Sequence, residues 1–155
     1  MANTAGICNS FKTEVLNGIH ALGPGTGVPA RTVSTADVVK CAVYLASGSL
    51  SPSATTAYSV TSEVGNSGTY SAGGATVTQA TVPTLFTNTG TWNPTASISF
   101  TGFSATAFDT ALMYNSSQGN RAISLHNFSS QTISSGTFTL NMPTAGAATS
   151  LIQLT

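Results

Sequence analysis

The stretch from Ala57 to Val77 reads AYSVTSEVGNSGTYSAGGATV and contains the clearest β-connection in the chain. Within it, Tyr58, Val60 and Val64 share one parity, so an extended backbone places them on one face. Glycines interrupt the stretch after Val64, and the pair Gly73-Gly74 precedes a second alternating run. Glycine adopts positive φ without a Cβ penalty, and β-branched residues fit the pleat of a sheet. The stretch therefore predicts two β-segments joined by a glycine-rich connection.

The composition is that of one uncharged domain. The 155 residues are 41% hydrophobic and only 5% charged, with a formal net charge of zero and a pI near 6.7, whereas a typical soluble domain is about 25% charged. No basic stripe exists to neutralise phosphates, so we expect no nucleic-acid partner. Few surface charges protect a chain poorly against association. The composition therefore favours a protein that works within an assembly.

Other classes of protein are disfavoured by what the chain lacks. No apolar run approaches the roughly 20 residues of a membrane span, so we expect no membrane partner. No positively charged segment followed by a long apolar core opens the chain, and we expect synthesis in the cytoplasm of the host cell. Cys8 and Cys41 lack a metal-binding spacing and predict two buried, reduced thiols.

The first 22 residues differ from the rest. Ile7, Phe11, Val15 and Ile19 recur every four residues, and this stripe predicts a helix from Ile7 to His20, the only convincing helix in the chain.

A Gly/Pro-rich segment then ends the helix. Residues 23–29 contain three glycines and two prolines, which neither continue a helix nor make a good strand. No lysine follows the last glycine, so a phosphate-binding loop is disfavoured. We divide the chain into an N-terminal helix with an extended arm, residues 1–36, and a β-sandwich domain, residues 37–155.

Alternation and turn composition predict strands through the rest of the chain. Pro83 places the extended run 77–85 at an edge or a crossing point, and 115–120 has the composition of a hairpin turn. Without intervening helices, these strands predict a mainly β fold, an antiparallel β-sandwich, of which a jelly roll is one form. The remaining predicted strands are 38–46, 92–103, 103–114, 121–128, 131–142 and 151–154.

Chemistry-bearing residues are few. Four carboxylates, four basic residues and two histidines form no close carboxylate pair, no HExxH spacing and no G-x-S-x-G elbow. We therefore expect no catalytic site, no cofactor and no metal, and so not an enzyme. The four tyrosines and Trp92 raise the alternative of a sugar-stacking surface. Core aromatics are the favoured interpretation, with Trp92 kept as an exposed anchor.

Several stretches together resemble a family of small structural proteins of tailed bacteriophages. The first, CNSFKTEVLNGIH at residues 8–20, is similar to the helix that begins chains of that family. The resemblance covers almost the whole chain. Its other stretches are Val43–Leu45, Tyr58–Val64, Gly68–Gly74, Ala111–Asn115, Gly136–Leu140 and Leu151–Leu154.

The resemblance implies a head decoration, or cement, protein on the outer surface of the capsid. Such a protein is generally a trimer that binds the major capsid protein and contributes interface instead of catalysis. The alternative is a tail or head-fibre component that binds host-surface carbohydrate. A helix and a glycine-rich arm can reach a neighbouring subunit and bury apolar surface there. We therefore predict these interface residues: Phe11, Val15, Ile19, Val28, Arg31 and Trp92.

Overall fold

In the described residues, the fold is mainly β, with two antiparallel sheets, one α-helix and a 3₁₀ turn at Ala46–Gly48, as expected for a β-sandwich. The structure, a computed structural model, describes residues 2–22, 36–78, 83–146 and 148–155. The larger sheet has the order β1-β7-β6-β2-β3 and the smaller one β4-β5-β8. The jelly-roll form stays a prediction. The elements are β1 (Gly6–Ile7), α1 (Asn9–Leu16), β2 (Val39–Leu45), β3 (Ala75–Thr76), β4 (Thr84–Phe86), β5 (Thr89–Trp92), β6 (Ile98–Asn115), β7 (Arg121–Leu140) and β8 (Ile152–Leu154).

One long hairpin replaces four of the predicted strands. The runs predicted as 92–103 and 103–114 form the single strand β6, which begins at Ile98, and 121–128 and 131–142 form β7. The predicted turn at 115–120 connects them, as Asn115 pairs with Arg121. The division into shorter strands was wrong because bulges interrupt the alternation without ending the pairing.

The hairpin folds over on itself. Phe128 and Phe138 lie ten positions apart in β7, about 33 Å in a straight strand, yet their ring centroids are 5.6 Å apart. Register shifts between Thr101 and Thr110 bend the ladder. The bend brings rings from both halves together, with Phe108 and Phe138 at 4.9 Å. Five phenylalanines fill the concave side: Phe100, Phe103, Phe108, Phe128 and Phe138.

The helix is shorter than predicted. Ile7 belongs to β1, where it pairs with Ser124, and α1 ends at Leu16. Gly18 has φ +65° and donates its N–H to the Val15 carbonyl, while the Ile19 N–H reaches the Glu14 carbonyl at 2.9 Å. This pair of bonds is a Schellman motif, in which a left-handed glycine stops the helix.

The N-terminal segment packs into the same core as the sandwich. Cys8 and Phe11 are fully buried in the main hydrophobic cluster. Asn3 is also buried, and its side-chain amide donates to Asp109 Oδ1 at 2.6 Å and accepts from the Leu50 N–H at 2.6 Å. The two segments divided at residue 36 therefore share one hydrophobic core.

The stretch from Ala57 to Gly74 is a loop and not the predicted strand. Only isolated bridges occur in it, such as Tyr44 with Glu63, and Ser62 has φ +62°. The loop nevertheless covers the edge of β2, because the Val64 N–H donates to the Val43 carbonyl and the Leu45 N–H donates to the Ser62 carbonyl, both at 2.9 Å. The strand β3 covers the edge of β2 only at Lys40 and Cys41. Hydrogen bonds from the loop cover the rest of that edge.

Glu63 holds this loop together. Its carboxylate is buried and accepts hydrogen bonds from the Tyr58 hydroxyl at 2.6 Å, the Tyr70 hydroxyl at 2.7 Å and the Gly73 N–H at 2.7 Å. Burial, together with the adjacent Glu63, raises the pKa of both tyrosines, so both hydroxyls stay protonated as donors. The Tyr70 oxygen in turn accepts from the Val43 N–H at 2.9 Å. One carboxylate therefore ties both ends of the loop to β2.

Glu63→Ala should destabilise the fold by about 3 kcal/mol, because it leaves two hydroxyls and one N–H without their acceptor in a largely buried site. Urea unfolding followed by tyrosine fluorescence measures the effect. Glu63→Gln is the matched control, since its amide keeps one acceptor oxygen and should lose less. A loss below about 0.5 kcal/mol for Glu63→Ala contradicts this account of the loop.

Gly74→Ala should destabilise the fold by about 2 kcal/mol or more. Gly74 has φ +68°, and an added Cβ would lie 1.8 Å from the Cys41 carbonyl oxygen. Gly65→Ala is the control in the same loop, because a Cβ there meets no atom within 4 Å. Thermal unfolding of the two variants should separate them clearly. Equal melting temperatures would refute the close approach of Gly74 to β2.

Candidate functional site

The end of α1 lies between two cavities. On one side, an apolar cavity of about 190 Å³ separates α1 from the small sheet. On the other side, a polar cavity of about 600 Å³ lies against the β6–β7 turn. The apolar cavity is lined by Phe11, Val15, His20, Leu22, Pro83, Gly90, Thr91, Trp92 and Leu154.

The polar groups of the apolar cavity are already bonded within the chain. The Trp92 indole N–H donates to the Leu22 carbonyl at 2.8 Å, and the Thr91 hydroxyl donates to the Thr84 carbonyl at 3.0 Å. Both His20 ring nitrogens have partners as well. The cavity therefore offers apolar contact and little hydrogen bonding, so it suits an apolar side chain.

An ion pair between the buried Glu14 and the exposed Arg121 separates the two cavities. Glu14 on α1 accepts from Arg121 at 2.6 Å and contacts His20 Nε2 at 2.8 Å. Glu14 and Arg121 both line the polar cavity, together with Ile19 and Gln118. The ion pair joins α1 to the start of β7, so it fixes the helix against the long hairpin.

The hydrogen-bond network determines the His20 tautomer. The Asn115 side-chain NH₂ donates to Asp37 Oδ2 at 2.7 Å and lies 3.0 Å from His20 Nδ1. Because this NH₂ group can only donate, His20 Nδ1 is the acceptor. His20 Nε2 then carries the hydrogen and donates a hydrogen bond to Glu14. His20 is therefore held between the helix and the β6–β7 turn.

Asp37 completes the cluster where the chain returns after residues 23–35. Burial alone would raise the pKa of this carboxyl, but hydrogen bonds from the Ala21 N–H, Gln118 and Asn115 outweigh burial and lower the pKa below its usual range. The cluster fastens both described ends of that segment, because Ala21 precedes it and Asp37 follows it.

Three of the predicted interface residues meet at the apolar cavity. Phe11, Val15 and Trp92 line it, and Ile19 lines the polar cavity instead. Phe11 is fully buried, and the prediction that Trp92 is an exposed anchor is wrong, because its side chain is 2% exposed. Val28 and Arg31 lie outside the described residues.

Sequence reasoning missed two features of the site. Glu14 is not part of the predicted apolar stripe, yet it is buried, because Arg121 compensates its charge and His20 forms a hydrogen bond with it. No local pattern links Glu14 to Arg121, so only the fold shows this pair. Leu85 and Leu154, in the predicted runs 77–85 and 151–154, are large exposed apolar side chains, and Leu154 also lines the apolar cavity.

Elsewhere, a serine–histidine pair and both thiols lie largely in the interior. Ser124 Oγ lies 2.8 Å from His126 Nε2, and burial lowers the pKa of His126 to about 4. Burial also raises the pKa of Cys8 to about 11 and of Cys41 to about 12, and both are free thiols as predicted. Among the described residues, no group of three or more His, Cys, Asp or Glu side chains could hold a metal ion.

Three of the four tyrosines belong to the interior, whereas Phe86 is exposed. Tyr44, Tyr70 and Tyr114 are 2% exposed or less, which confirms their interpretation as core residues. Tyr58 stacks on Tyr114 at 4.7 Å. In the part of the chain that the structure describes, no helix is long and apolar enough to cross a membrane.

Comparisons with protein-family models, with curated protein sequences and with solved structures gave no match to this chain.

Asp37 should make stability depend on acid pH. Its folded-state pKa lies below the unfolded value of about 3.9, so its contribution is complete above that value and is lost as pH falls through the folded pKa. Between about pH 5 and pH 2, the unfolding free energy of the native chain should fall more steeply than that of Asp37→Asn. The difference in slope is at most about 1.4 kcal/mol per pH unit for one proton. Urea unfolding over that range measures both slopes, and parallel slopes would contradict the assignment.

Proposed function

We propose that this chain is a structural component of a tailed-phage virion, a decoration protein that binds the major capsid protein on the outside of the head as a trimer. The observation that carries the proposal is the placement of the residues of the phage-family resemblance. They include Phe11 and Glu14 in α1, Glu63 and Gly74 in the loop, and Asn115 in the polar cluster. A chain that shares these residues would preserve the contacts that hold this fold.

The use of charge supports a structural role. All four carboxylates of the chain bond within it: Glu14 to His20 and Arg121, Asp37 to Asn115 and Gln118, Glu63 to two tyrosines, and Asp109 to Asn3 and Thr110. An acid–base mechanism needs a titratable group that faces a substrate. Here the carboxylates fasten loops and the helix to the sheets.

The surface suits burial against a large partner. Removing charged groups from water is costly, and the long hairpin exposes hydroxyl side chains such as Ser99, Thr101, Thr137 and Thr139 instead. Ser99 and Thr139 already bond to each other across the hairpin at 2.8 Å. Many copies at symmetric sites then add small contact energies into firm attachment.

The helix α1 supplies the most exposed apolar side chain among the large hydrophobic residues that the structure describes. Leu16 is 88% exposed at the last turn of α1, next to Val15. Because this leucine does not contribute to the core, it is available for apolar contact with the major capsid protein. The proposal therefore assigns Leu16 to the face that meets the capsid, in keeping with the predicted role of the helix.

The alternative, a fibre component that binds carbohydrate, finds less support. Sugar recognition favours exposed aromatic platforms, yet Trp92 and three tyrosines are buried. Nothing in the described residues favours this alternative over the structural role.

Stoichiometry tests the proposal in virions. A stained gel of purified particles should show this chain at hundreds of copies, measured against the capsid band. A dozen copies or fewer, or absence from the particle, would overturn the assignment to head decoration.

Leu16→Asp should lower occupancy on heads that lack the protein by about tenfold or more, which corresponds to about 1.4 kcal/mol. Asn17→Asp is the matched control, because it adds the same charge at the next exposed position without removing apolar surface. Co-sedimentation of the purified variants with such heads measures occupancy. Equal binding by both variants would remove α1 from the contact surface.

A further inference from the structure

The end of α1 carries the only Asn-Gly step in the sequence, Asn17–Gly18. Asn17 is exposed, and its side-chain amide has no hydrogen-bond partner among the described residues. Gly18 has no side chain, so nothing on that residue hinders contact between its backbone nitrogen and the Asn17 side-chain carbonyl. An asparagine in this setting deamidates more readily than one followed by a residue with a side chain.

The helix cap holds this step closed in the folded chain. The Gly18 N–H donates to the Val15 carbonyl at 3.0 Å, and the Ile19 N–H donates to the Glu14 carbonyl at 2.9 Å. Asn17 has ψ 0°, which turns the Gly18 nitrogen away from the Asn17 side chain. Attack on the side chain therefore requires that the Gly18 hydrogen bond breaks and that Asn17 ψ rotates, so the last turn of α1 must open first.

We propose that Asn17 is a site of spontaneous deamidation, which proceeds when the last turn of α1 opens. The Gly18 backbone nitrogen loses its proton to hydroxide and forms a bond to Asn17 Cγ. The Cγ–Nδ2 bond then breaks, and the amide nitrogen leaves as ammonia after taking a proton from water, so a cyclic succinimide remains. Water opens this ring at either carbonyl and produces an aspartate or an isoaspartate, each with a carboxylate in place of the amide.

Few buried contacts hold the last turn of α1. Leu16 is 88% exposed, whereas Phe11, which is fully buried, lies more than a turn earlier in the helix. The ion pair of Glu14 with Arg121 fastens this end of the helix to β7, and the Arg121 side chain is itself 45% exposed. Helix ends with few buried contacts open locally without global unfolding. Opening is therefore accessible in the folded protein.

The two products have different effects on the helix end. The aspartate keeps the normal backbone, whereas in the isoaspartate the chain runs through the side-chain carbons, so the backbone before Gly18 is one carbon longer. The Gly18 and Ile19 N–H groups then no longer match the Val15 and Glu14 carbonyls, and the Schellman motif is lost. In both products the new carboxylate lies at the C-terminal end of the helix dipole, where negative charge is unfavourable.

Peptide mapping by mass spectrometry tests the site in the full chain, incubated at mildly alkaline pH either folded or unfolded in guanidinium chloride. We expect aspartate and isoaspartate to form at Asn17 before any other asparagine, and about tenfold or more slowly in the folded chain. The three Asn-Ser steps are internal controls, at Asn9, Asn66 and Asn115. Equal folded and unfolded rates, earlier conversion at another asparagine, or no conversion of the folded chain over about a hundred half-lives of the unfolded one would overturn the proposal.

Asn17→Gln tests the consequence for the helix. Its longer side chain keeps an exposed amide but forms the larger cyclic imide far more slowly. Hydrogen exchange at the Ile19 amide should speed up in the native chain as isoaspartate accumulates, and should stay unchanged in Asn17→Gln over the same incubation. Loss of Ile19 protection in both chains, or in neither, would contradict the link between the modification and the helix end.

Arg121→Gln tests the control by opening. It removes the ion pair that fastens Glu14, so the deamidation rate at Asn17 should rise about threefold in the folded chain and stay unchanged in the unfolded chain. Lys12→Gln is the matched control, because Lys12 is exposed on the same helix and its side chain bonds to Asn9, away from the helix end. Equal folded-state rates for the two variants would refute the control. Neither experiment uses a virion, so both stand apart from the proposed function.

Discussion

The burial of one carboxylate closes the loop from Ala57 to Gly74 and fastens it to the large sheet. Burial removes the Glu63 carboxylate from water. Hydrogen bonds from two tyrosine hydroxyls and the Gly73 N–H offset the cost of this desolvation. These donors come from both sides of the loop, so satisfying the charge also closes the loop. The closed loop then covers the edge of β2 beyond β3, and an open sheet edge is avoided without another strand.

A second buried carboxylate connects separate segments at the helix. Glu14 is buried between Arg121 and His20, and Asn115 joins His20 to Asp37. In a chain that is only 5% charged, the acidic groups therefore connect segments that hydrophobic packing alone leaves loosely specified. Hydrophobic contacts, chiefly the phenylalanines inside the folded hairpin, supply the core, and the carboxylates specify how the loop and the helix lie on it.

Sequence patterns predicted the class of fold but not the contacts that connect its loop and helix to the sheets. The alternation in Val39–Leu45 and in the residues that became β6 and β7 identified strands because one face of each is buried. The stretch from Tyr58 to Val64 shows the same alternation but is a loop, since the Glu63 carboxylate bonds to Tyr70 and Gly73 across the glycine-rich connection. Gly18 marked the helix end in the sequence, and the four-residue apolar spacing obscured it. The apolar cavity and the ion pair of Glu14 with Arg121 depend on tertiary contacts, which no local pattern encodes.

Native-state hydrogen exchange at Gly73 tests the central claim most directly, because its N–H is bonded to Glu63 and to nothing else in the loop. If the carboxylate holds the loop closed, the Gly73 amide exchanges only when the sheet opens, with a protection factor close to that of Val64, whose N–H is bonded to β2. Exchange of Gly73 at the rate of an exposed loop amide, while Val64 stays protected, would contradict the account.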